Sequence, residues 1–146
     1  MQLAFIGIGK VGFALANNLQ KSGHTVIVAH DNPERESVKS ALARNDSFLV
    51  LPIQEAIDAA DVVLLATPFK NNEEILKPLD LKGKILVDCT NPVGPGISHG
   101  LESKISGAEK VQEWAGDAKV VKAYTIYGYE NLEDASFPNY NVKPVM

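Results

Sequence analysis

The feature that most constrains this chain is a glycine pattern between a short apolar segment and a helical one. Glycines 7, 9 and 12 give the spacing G-x-G-x-x-G within FIGIGKVGFALANNL. The preceding segment, Gln2–Ile6, is typical of a strand, and apolar residues after the glycines recur at helical spacing. A second apolar, β-branched segment, Thr25–Ala29, follows. The order of strand, glycine turn, helix and strand predicts a β-α-β unit.

The glycine turn predicts a phosphate site. Gly7 permits a tight exit from the strand, Gly9 lets a pyrophosphate approach the backbone, and Gly12 allows close helix packing. The amino terminus of the helix would turn free N–H groups and the positive end of its dipole toward the phosphate. We therefore predict dinucleotide binding, with a purely structural glycine turn as the alternative. The candidate contacts in the turn are Gly7, Ile8, Gly9, Lys10, Val11 and Gly12.

The segment AHDNPER, after the second predicted strand, contains the candidate ribose contacts. Asp31 follows Gly12 by 31 − 12 = 19 residues, the distance at which an acidic side chain accepts hydrogen bonds from the adenosine ribose. A carboxylate there favours NAD, but His30 and Arg35 remain within reach of a 2′-phosphate, so we expect mixed or NADH-leaning specificity. Alternatively, Asp31, Asn32 and the following proline form a turn that caps the next helix. The candidates here are His30, Asp31, Asn32 and Arg35.

Strand and helix patterns alternate along the rest of the chain. We predict helices at residues 33–44, at 53–60 and within 101–114. Strands are predicted near residues 48–50, in DVVLLATP and KILVDCTNP, and at 118–124. This alternation predicts an α/β fold, a doubly wound and mostly parallel Rossmann sheet in a single domain.

Two of these predicted strands end in proline-containing turns. The carboxyl ends of parallel strands meet at one edge of a sheet, where dinucleotides bind. We therefore expect Ala66, Thr67 and Pro68 to line the path between adenine and nicotinamide, and Asn91 and Pro92 to shape a nicotinamide pocket. The alternative is that both are ordinary strand-ending turns.

Composition narrows the function classes. A formal net charge of −4 offers no excess of positive charge for a nucleic-acid backbone. Cys89 is the single cysteine, and no cluster of Cys and His has metal-ligand spacing, so we expect a reducing compartment. No apolar run approaches the ~18 residues that span a membrane. We expect a cytoplasmic protein with small-molecule partners, without nucleic acid or membrane, whose assembly into a homodimer is open.

Two further expectations concern single segments. Cys89 lies in an apolar strand pattern without an obvious base, so we interpret it as a small buried side chain and assign no catalytic residue. The sequence NVKPVM, at residues 141–146, is typical of the start of another strand, after which no covering helix follows. We therefore expect residues 1–146 to form an NAD(P)-binding domain whose C-terminal part is incomplete.

Several motifs together resemble one enzyme family. FIGIGKVGFALA, DVVLLATP, DCTNP, ISGAEKVQE and AKVVKAY occur in an order that resembles NADPH-dependent oxidoreductases using the deazaflavin coenzyme F-420. The resemblance implies reversible hydride transfer between a nicotinamide and a flavin-like ring, both stacked at the ends of the strands. Because the two cofactors perform this chemistry, it implies no side-chain nucleophile.

The resemblance has two departures. Family members that use NADP resemble one another in having serine and arginine where this chain has His30 and Asp31, and the loss of that arginine weakens the assignment of NADP. In addition, the family often has an asparagine near Thr125. Two other functions therefore remain open beside hydride transfer to a deazaflavin, a flavin or another small acceptor. One is the nucleotide domain of an imine or carbonyl reductase, and the other is a non-catalytic dinucleotide-binding sensor or partner domain.

Overall fold

A six-stranded sheet organises the computed structural model, which describes residues 1–134 and residue 136. All its neighbouring strands are parallel. The strand order is β3-β2-β1-β4-β5-β6, so the direction of winding reverses between β1 and β4. The strands are β1 (Gln2–Ile6), β2 (Thr25–Ala29), β3 (Leu49–Leu51), β4 (Val62–Leu65), β5 (Ile85–Asp88) and β6 (Lys119–Lys122). The predicted doubly wound α/β fold is confirmed.

Helices connect the strands on both faces of the sheet. They are α1 (Lys10–Lys21), α2 (Glu36–Arg44), α3 (Ile53–Ala59), α4 (Asn72–Leu76), α5 (Gly107–Trp114) and α6 (Tyr129–Glu133). Helix α2 begins three residues later than predicted, because Asn32 Oδ1 accepts a hydrogen bond from the Glu34 N–H at 3.0 Å and holds a turn there. Helices α4 and α6 have no predicted counterpart. Each has five residues, too few to display helical periodicity.

The sheet is apolar on both faces, as a buried parallel sheet requires. Alternate residues of β1 belong to different core clusters: Ala4 and Ile6 pack with α3 and α5, while Leu3 and Phe5 pack with α1 and α2. All four are at most 5% exposed. The polar groups available for ligands are therefore concentrated at the ends of the strands.

The start of α5 explains one motif of the family resemblance. In SGAE, Ser106 Oγ accepts a hydrogen bond from the Glu109 N–H at 3.1 Å, and Glu109 Oε2 accepts one from the Ser106 N–H at 2.9 Å. These hydrogen bonds hold the pKa of the Glu109 carboxyl below its ordinary value. The motif is therefore a capping box that begins the helix.

Helix α6 packs against α1, close to the glycine turn at the start of that helix. Asn18 Nδ2 donates to the Leu132 carbonyl at 2.6 Å, and Lys10 Nζ lies 4.8 Å from the centre of the Tyr129 ring. The strand predicted at residues 141–146 lies outside the described residues. Across residues 1–134 and 136, every helix is too short or too polar to cross a membrane.

Candidate functional site

Two glycines of the turn are required by the fold itself. Gly7 has φ +97°, and a Cβ there would lie 2.7 Å from the carbonyl carbon of Ala66. A Cβ on Gly12 would lie 2.2 Å from the Gly7 carbonyl oxygen. Both distances are far below van der Waals contact, so side chains at these positions would push α1 away from β1 and β4.

Gly9 differs from its neighbours. Its φ is −72°, which any residue can adopt, and a Cβ at this position would have no heavy atom within 4 Å. It precedes α1 without offering a side-chain acceptor to the first N–H groups, and the first turn of α1 carries no acidic residue. The positive end of the helix dipole therefore faces open space at Gly9, a setting suited to an anion.

A cavity of about 440 Å³ lies along the carboxyl ends of β1, β2 and β4. It brings together eight of the residues predicted from the sequence, namely Gly7, Ile8, Gly9, His30, Arg35, Ala66, Thr67 and Pro68. It also includes Ser37, Asn71 and Ile75, which the sequence patterns did not indicate. Its apolar walls come from Ile6, Ile8, Ile53 and Ile75. Shape and lining suit a long ligand that carries both polar and apolar groups.

Two further cavities adjoin the first. Lys10 lines one of about 360 Å³ with Ser37, Ser40 and Arg44, between α1 and α2. Asn91 and Pro92 line another, of about 660 Å³, under the connection that follows β5. The Asn91 side chain is held there by its Nδ2, which donates to the Thr125 carbonyl at 3.2 Å.

Four predicted residues line none of these three cavities. They are Val11, Gly12, Asp31 and Asn32. Val11 packs against the core cluster beneath α1, and Gly12 is buried against the turn.

Asp31 contacts a helix other than the one predicted. Its Oδ1 accepts a hydrogen bond at 2.9 Å from the N–H of Ile53, the first residue of α3. The capping alternative therefore needs correction, since the capped helix is α3, whereas α2 begins at Glu36 and its N-cap residue, Arg35, makes no side-chain capping hydrogen bond. The reason is topological: β3 lies beside β2, so the turn after β2 meets the helix that follows β3. Contact between Asp31 and a ribose stays a prediction.

His30 is oriented by its own backbone turn. Its Nδ1 accepts a hydrogen bond from the Asn32 N–H at 2.9 Å, so a neutral ring carries its proton on Nε2. The ring lines the 440 Å³ cavity together with Arg35 and Ser37. A donor on an imidazole, a guanidinium and a hydroxyl are thus available at the end of the cavity next to β2.

A buried polar network that the sequence did not reveal lies at the ends of β4, β5 and β6. Thr67 Oγ1 donates to Asn72 Oδ1 at 2.7 Å, and Asn72 Nδ2 donates to Thr90 Oγ1 at 3.0 Å. Thr90 Oγ1 donates to Asp88 Oδ1 at 2.7 Å, and Lys122 Nζ donates to Asp88 Oδ2 at 2.8 Å. Asn72 and Asp88 are fully buried. The sequence signal was a charged residue at the end of each of two apolar strands, which indicates an ion pair; Asp88 is fully buried in it, and Lys122 is partly exposed.

Cys89 directly follows Asp88, the last residue of β5, and is buried. Burial and the neighbouring Asp88 carboxylate raise its pKa to about 12. The thiol is therefore neutral at physiological pH and a poor nucleophile, which agrees with its interpretation as a small buried side chain.

Comparison with known proteins identifies the family. A profile of the family described as NADP oxidoreductase, coenzyme F420-dependent, matches residues 2–92. A hypothetical protein from Sinorhizobium meliloti has 29% sequence identity and a TM-score of 0.81, over 92% of this chain and 66% of that one. A candidate F420-dependent NADP reductase from Arthrobacter sp. FB24 has 25% identity and a TM-score of 0.75, over 90% and 65%.

A more distant solved structure is a 1-pyrroline-5-carboxylate reductase from Streptococcus pyogenes. It has 25% identity and a TM-score of 0.55, over 65% of this chain and 36% of that one. This chain thus spans just under two thirds of the first two similar structures and about a third of this one. Since the profile covers more than half of the sequence, the chain belongs to the family of coenzyme F420-dependent NADP oxidoreductases.

Proposed function

We propose that this chain is the NAD(P)-binding domain of an oxidoreductase that transfers a hydride between a nicotinamide dinucleotide and a deazaflavin, a flavin or another small acceptor. Membership of the F420-dependent family supports the reaction class. The observation that carries the proposal is the contrast among the three glycines. The fold needs Gly7 and Gly12, whereas the open space at Gly9 serves no packing purpose and faces the amino terminus of α1.

The arrangement of the cavities supports one orientation of the dinucleotide. Its pyrophosphate would lie against Gly9 and the first N–H groups of α1. Its adenosine would extend toward His30 and Arg35, and its nicotinamide toward Thr67 and the cavity that Asn91 and Pro92 line. When bound, the nicotinamide supplies the hydride chemistry. The protein's own contribution would be to hold the ring at a fixed distance and with one face toward the acceptor.

Use of NADP as well as NAD is part of the proposal. A lone carboxylate at the end of β2 would repel a 2′-phosphate, but Asp31 Oδ1 is engaged by the Ile53 N–H. Arg35, Ser37 and the Nε2 side of His30 border the cavity and can donate to a phosphate. We therefore propose mixed specificity, with these three residues at the 2′-position of the ribose.

The test of the binding site is a titration of NADPH and NADH by isothermal calorimetry. Gly9→Val should lower the affinity for both nucleotides by about a hundredfold or more, because the valine side chain would occupy the space of the pyrophosphate. Ala59→Val, at the exposed far end of α3, is the matched control and should bind as the natural protein does. Unchanged binding by folded Gly9→Val would disprove the phosphate site.

A carbon–nitrogen double bond is the second candidate acceptor. The similarity to a 1-pyrroline-5-carboxylate reductase favours it. Stopped-flow oxidation of NADPH in the presence of F420, FMN or a cyclic imine separates the alternatives. Turnover with F420 supports the first proposal, turnover with the imine alone supports the second, and nucleotide binding without turnover supports a sensor or partner domain.

A further inference from the structure

We propose that Thr67 presents only hydrogen-bond acceptors to the cavity and therefore recognises a hydrogen-bond donor of the bound dinucleotide, either a ribose hydroxyl or the carboxamide NH₂ group. Asn72 and Thr90 are positioning residues that impose this polarity on it. The inference rests on the proposed function and adds a chemical requirement at one point of the ligand.

The polarity begins at Asp88. Its Oδ1 accepts the Thr90 N–H at 2.9 Å, and its Oδ2 accepts from Lys122 Nζ at 2.8 Å. A carboxylate paired with an ammonium group offers acceptors only. The Thr90 hydroxyl, 2.7 Å from Asp88 Oδ1, must therefore donate its one proton to it.

The remaining two bonds then have one possible direction. Since the Thr90 hydroxyl has used its proton, it can only accept from Asn72, at 3.0 Å. The NH₂ group of Asn72 must face Thr90, and its Oδ1 must face Thr67, at 2.7 Å. Thr67 donates its proton to Asn72, and its lone pairs are all that it can offer a ligand.

Burial makes this arrangement rigid. Asn72 and Asp88 are 0% exposed and Thr90 is 3% exposed, so water does not compete for their hydrogen bonds. Reversing a single bond would leave a buried donor or acceptor without a partner, which is costly in a low-dielectric interior. The direction set by Lys122 and Asp88 is thus transmitted to the cavity wall.

The position of Thr67 indicates which part of the ligand it meets. Thr67 borders the 440 Å³ cavity, and its Cγ2 would lie 2.8 Å from a Cβ on Gly7, so it adjoins the glycine turn. Pro68, the next residue, borders both this cavity and the one lined by Asn91. In the nicotinamide half of the ligand, beyond the pyrophosphate, the hydrogen-bond donors are the ribose hydroxyls and the NH₂ group of the carboxamide.

The experiment measures dissociation constants of NADP⁺ and of its 3-acetylpyridine analogue, in which an acetyl group replaces the carboxamide and removes the N–H donors. Thr67→Val should weaken NADP⁺ by about tenfold, the size of one hydrogen bond to a partly buried acceptor. Thr67→Ser should bind within about twofold of the natural protein. Thr25→Val, at the opposite end of the sheet, is the matched control and should have no effect.

The analogue identifies the donor. If Thr67→Val weakens NADP⁺ but not the analogue, the donor is the carboxamide, and if it weakens both equally, the donor is a ribose hydroxyl. Either result supports the inference. NADP⁺ binding that Thr67→Val leaves unchanged overturns it. In that case loss of binding by Gly9→Val would still support the proposed function, whereas a natural protein that binds neither nucleotide would refute both.

Two measurements test the positioning residues. Thr90→Val allows the Asn72 side-chain amide to flip. It should therefore weaken the binding of NADP⁺ by about threefold in the natural protein but have no effect on binding in the Thr67→Val variant. An equal effect in both backgrounds would mean that Thr90 is merely structural. In the natural protein, NMR should detect slowly exchanging NH₂ protons of Asn72 and a nuclear Overhauser effect between them and the Thr90 side chain. Rapid exchange of these protons would overturn the fixed polarity without any substitution.

Discussion

The glycine turn after β1 and the polar network at the ends of β4, β5 and β6 shape the same cavity in opposite ways. At the turn, side chains are absent: Gly9 leaves open space in front of the N–H groups of α1. In the network, five side chains are joined to one another by hydrogen bonds in a defined order. One part of the cavity wall is shaped by backbone, and the neighbouring part, at Thr67, is shaped by side-chain hydrogen bonds.

This difference teaches what each device can recognise. Backbone N–H groups at the amino terminus of a helix favour any anion of suitable shape, because they respond to negative charge and not to the chemical identity of the anion. A hydroxyl whose proton is committed elsewhere distinguishes a donor from an acceptor. A dinucleotide needs both kinds of recognition, because it has a charged pyrophosphate in the middle and neutral polar groups toward the nicotinamide.

The largest effect should come from Gly12→Ala. The new Cβ would lie 2.2 Å from the Gly7 carbonyl oxygen, so α1 or the turn must move, and we expect a loss of about 4 kcal/mol or failure to fold. Gly9→Ala, the matched control, should change stability by no more than about 1 kcal/mol, since its Cβ meets nothing. Urea unfolding measures both. Similar stabilities for the two variants would contradict the division of roles among the glycines.

In the polar network, Lys122→Met should destabilise the protein by about 3 kcal/mol, because it leaves the fully buried Asp88 carboxylate without its cation. Adding Asp88→Asn should restore part of that loss by removing the unpaired charge. Urea unfolding of the two variants provides the measurement. If the double variant is no more stable than Lys122→Met, the charge of Asp88 is not what Lys122 offsets.

Asp31→Arg tests the end of the cavity next to β2. It should shift the ratio of NADPH to NADH affinity toward NADPH by about tenfold, equivalent to ~1.4 kcal/mol, and lower stability by about 1 kcal/mol by removing the acceptor for the Ile53 N–H. Asp31→Asn, which keeps an acceptor oxygen, serves as the control for stability. Calorimetric titration and urea unfolding separate the two effects. A stability loss without a change in the affinity ratio would leave Asp31 as a cap of α3 alone.

Cys89→Ser should have the smallest effect at neutral pH, and it should leave the proposed hydride transfer unchanged, because that reaction needs no thiolate. The folded protein raises the pKa of this thiol from 9.0 to about 12, so the stability that the neutral thiol contributes is full below pH 9 and is lost as the pH rises toward 12. Relative to pH 8, the natural protein should lose about 1.4 kcal/mol more than Cys89→Ser by pH 10. Parallel pH dependences in urea unfolding would mean that the thiol ionises equally in both states.

The sequence by itself determined the frame of the fold. Strand β2 lies at its predicted residues, Thr25–Ala29, because a continuous β-branched, apolar run is specified by local preference and burial on both faces. The glycine turn could equally be predicted from the sequence. The positive φ of Gly7 and the close backbone approach at Gly12 are requirements of local geometry that only glycine meets. Patterns of this kind need no knowledge of distant residues.

Only the tertiary structure decided which side chains meet. The network joins residues from four segments of the chain: Thr67, Asn72, the pair Asp88 and Thr90, and Lys122. Its longest connection in sequence, between Lys122 and Asp88, spans 34 residues. Asp31 caps α3, 22 residues away, because the strand order places β3 beside β2. Helix α4, which carries Asn72, was too short to predict. Hydrogen bonds act over about 3 Å in space, and distance along the chain contains no information about them until the sheet has brought the strand ends together.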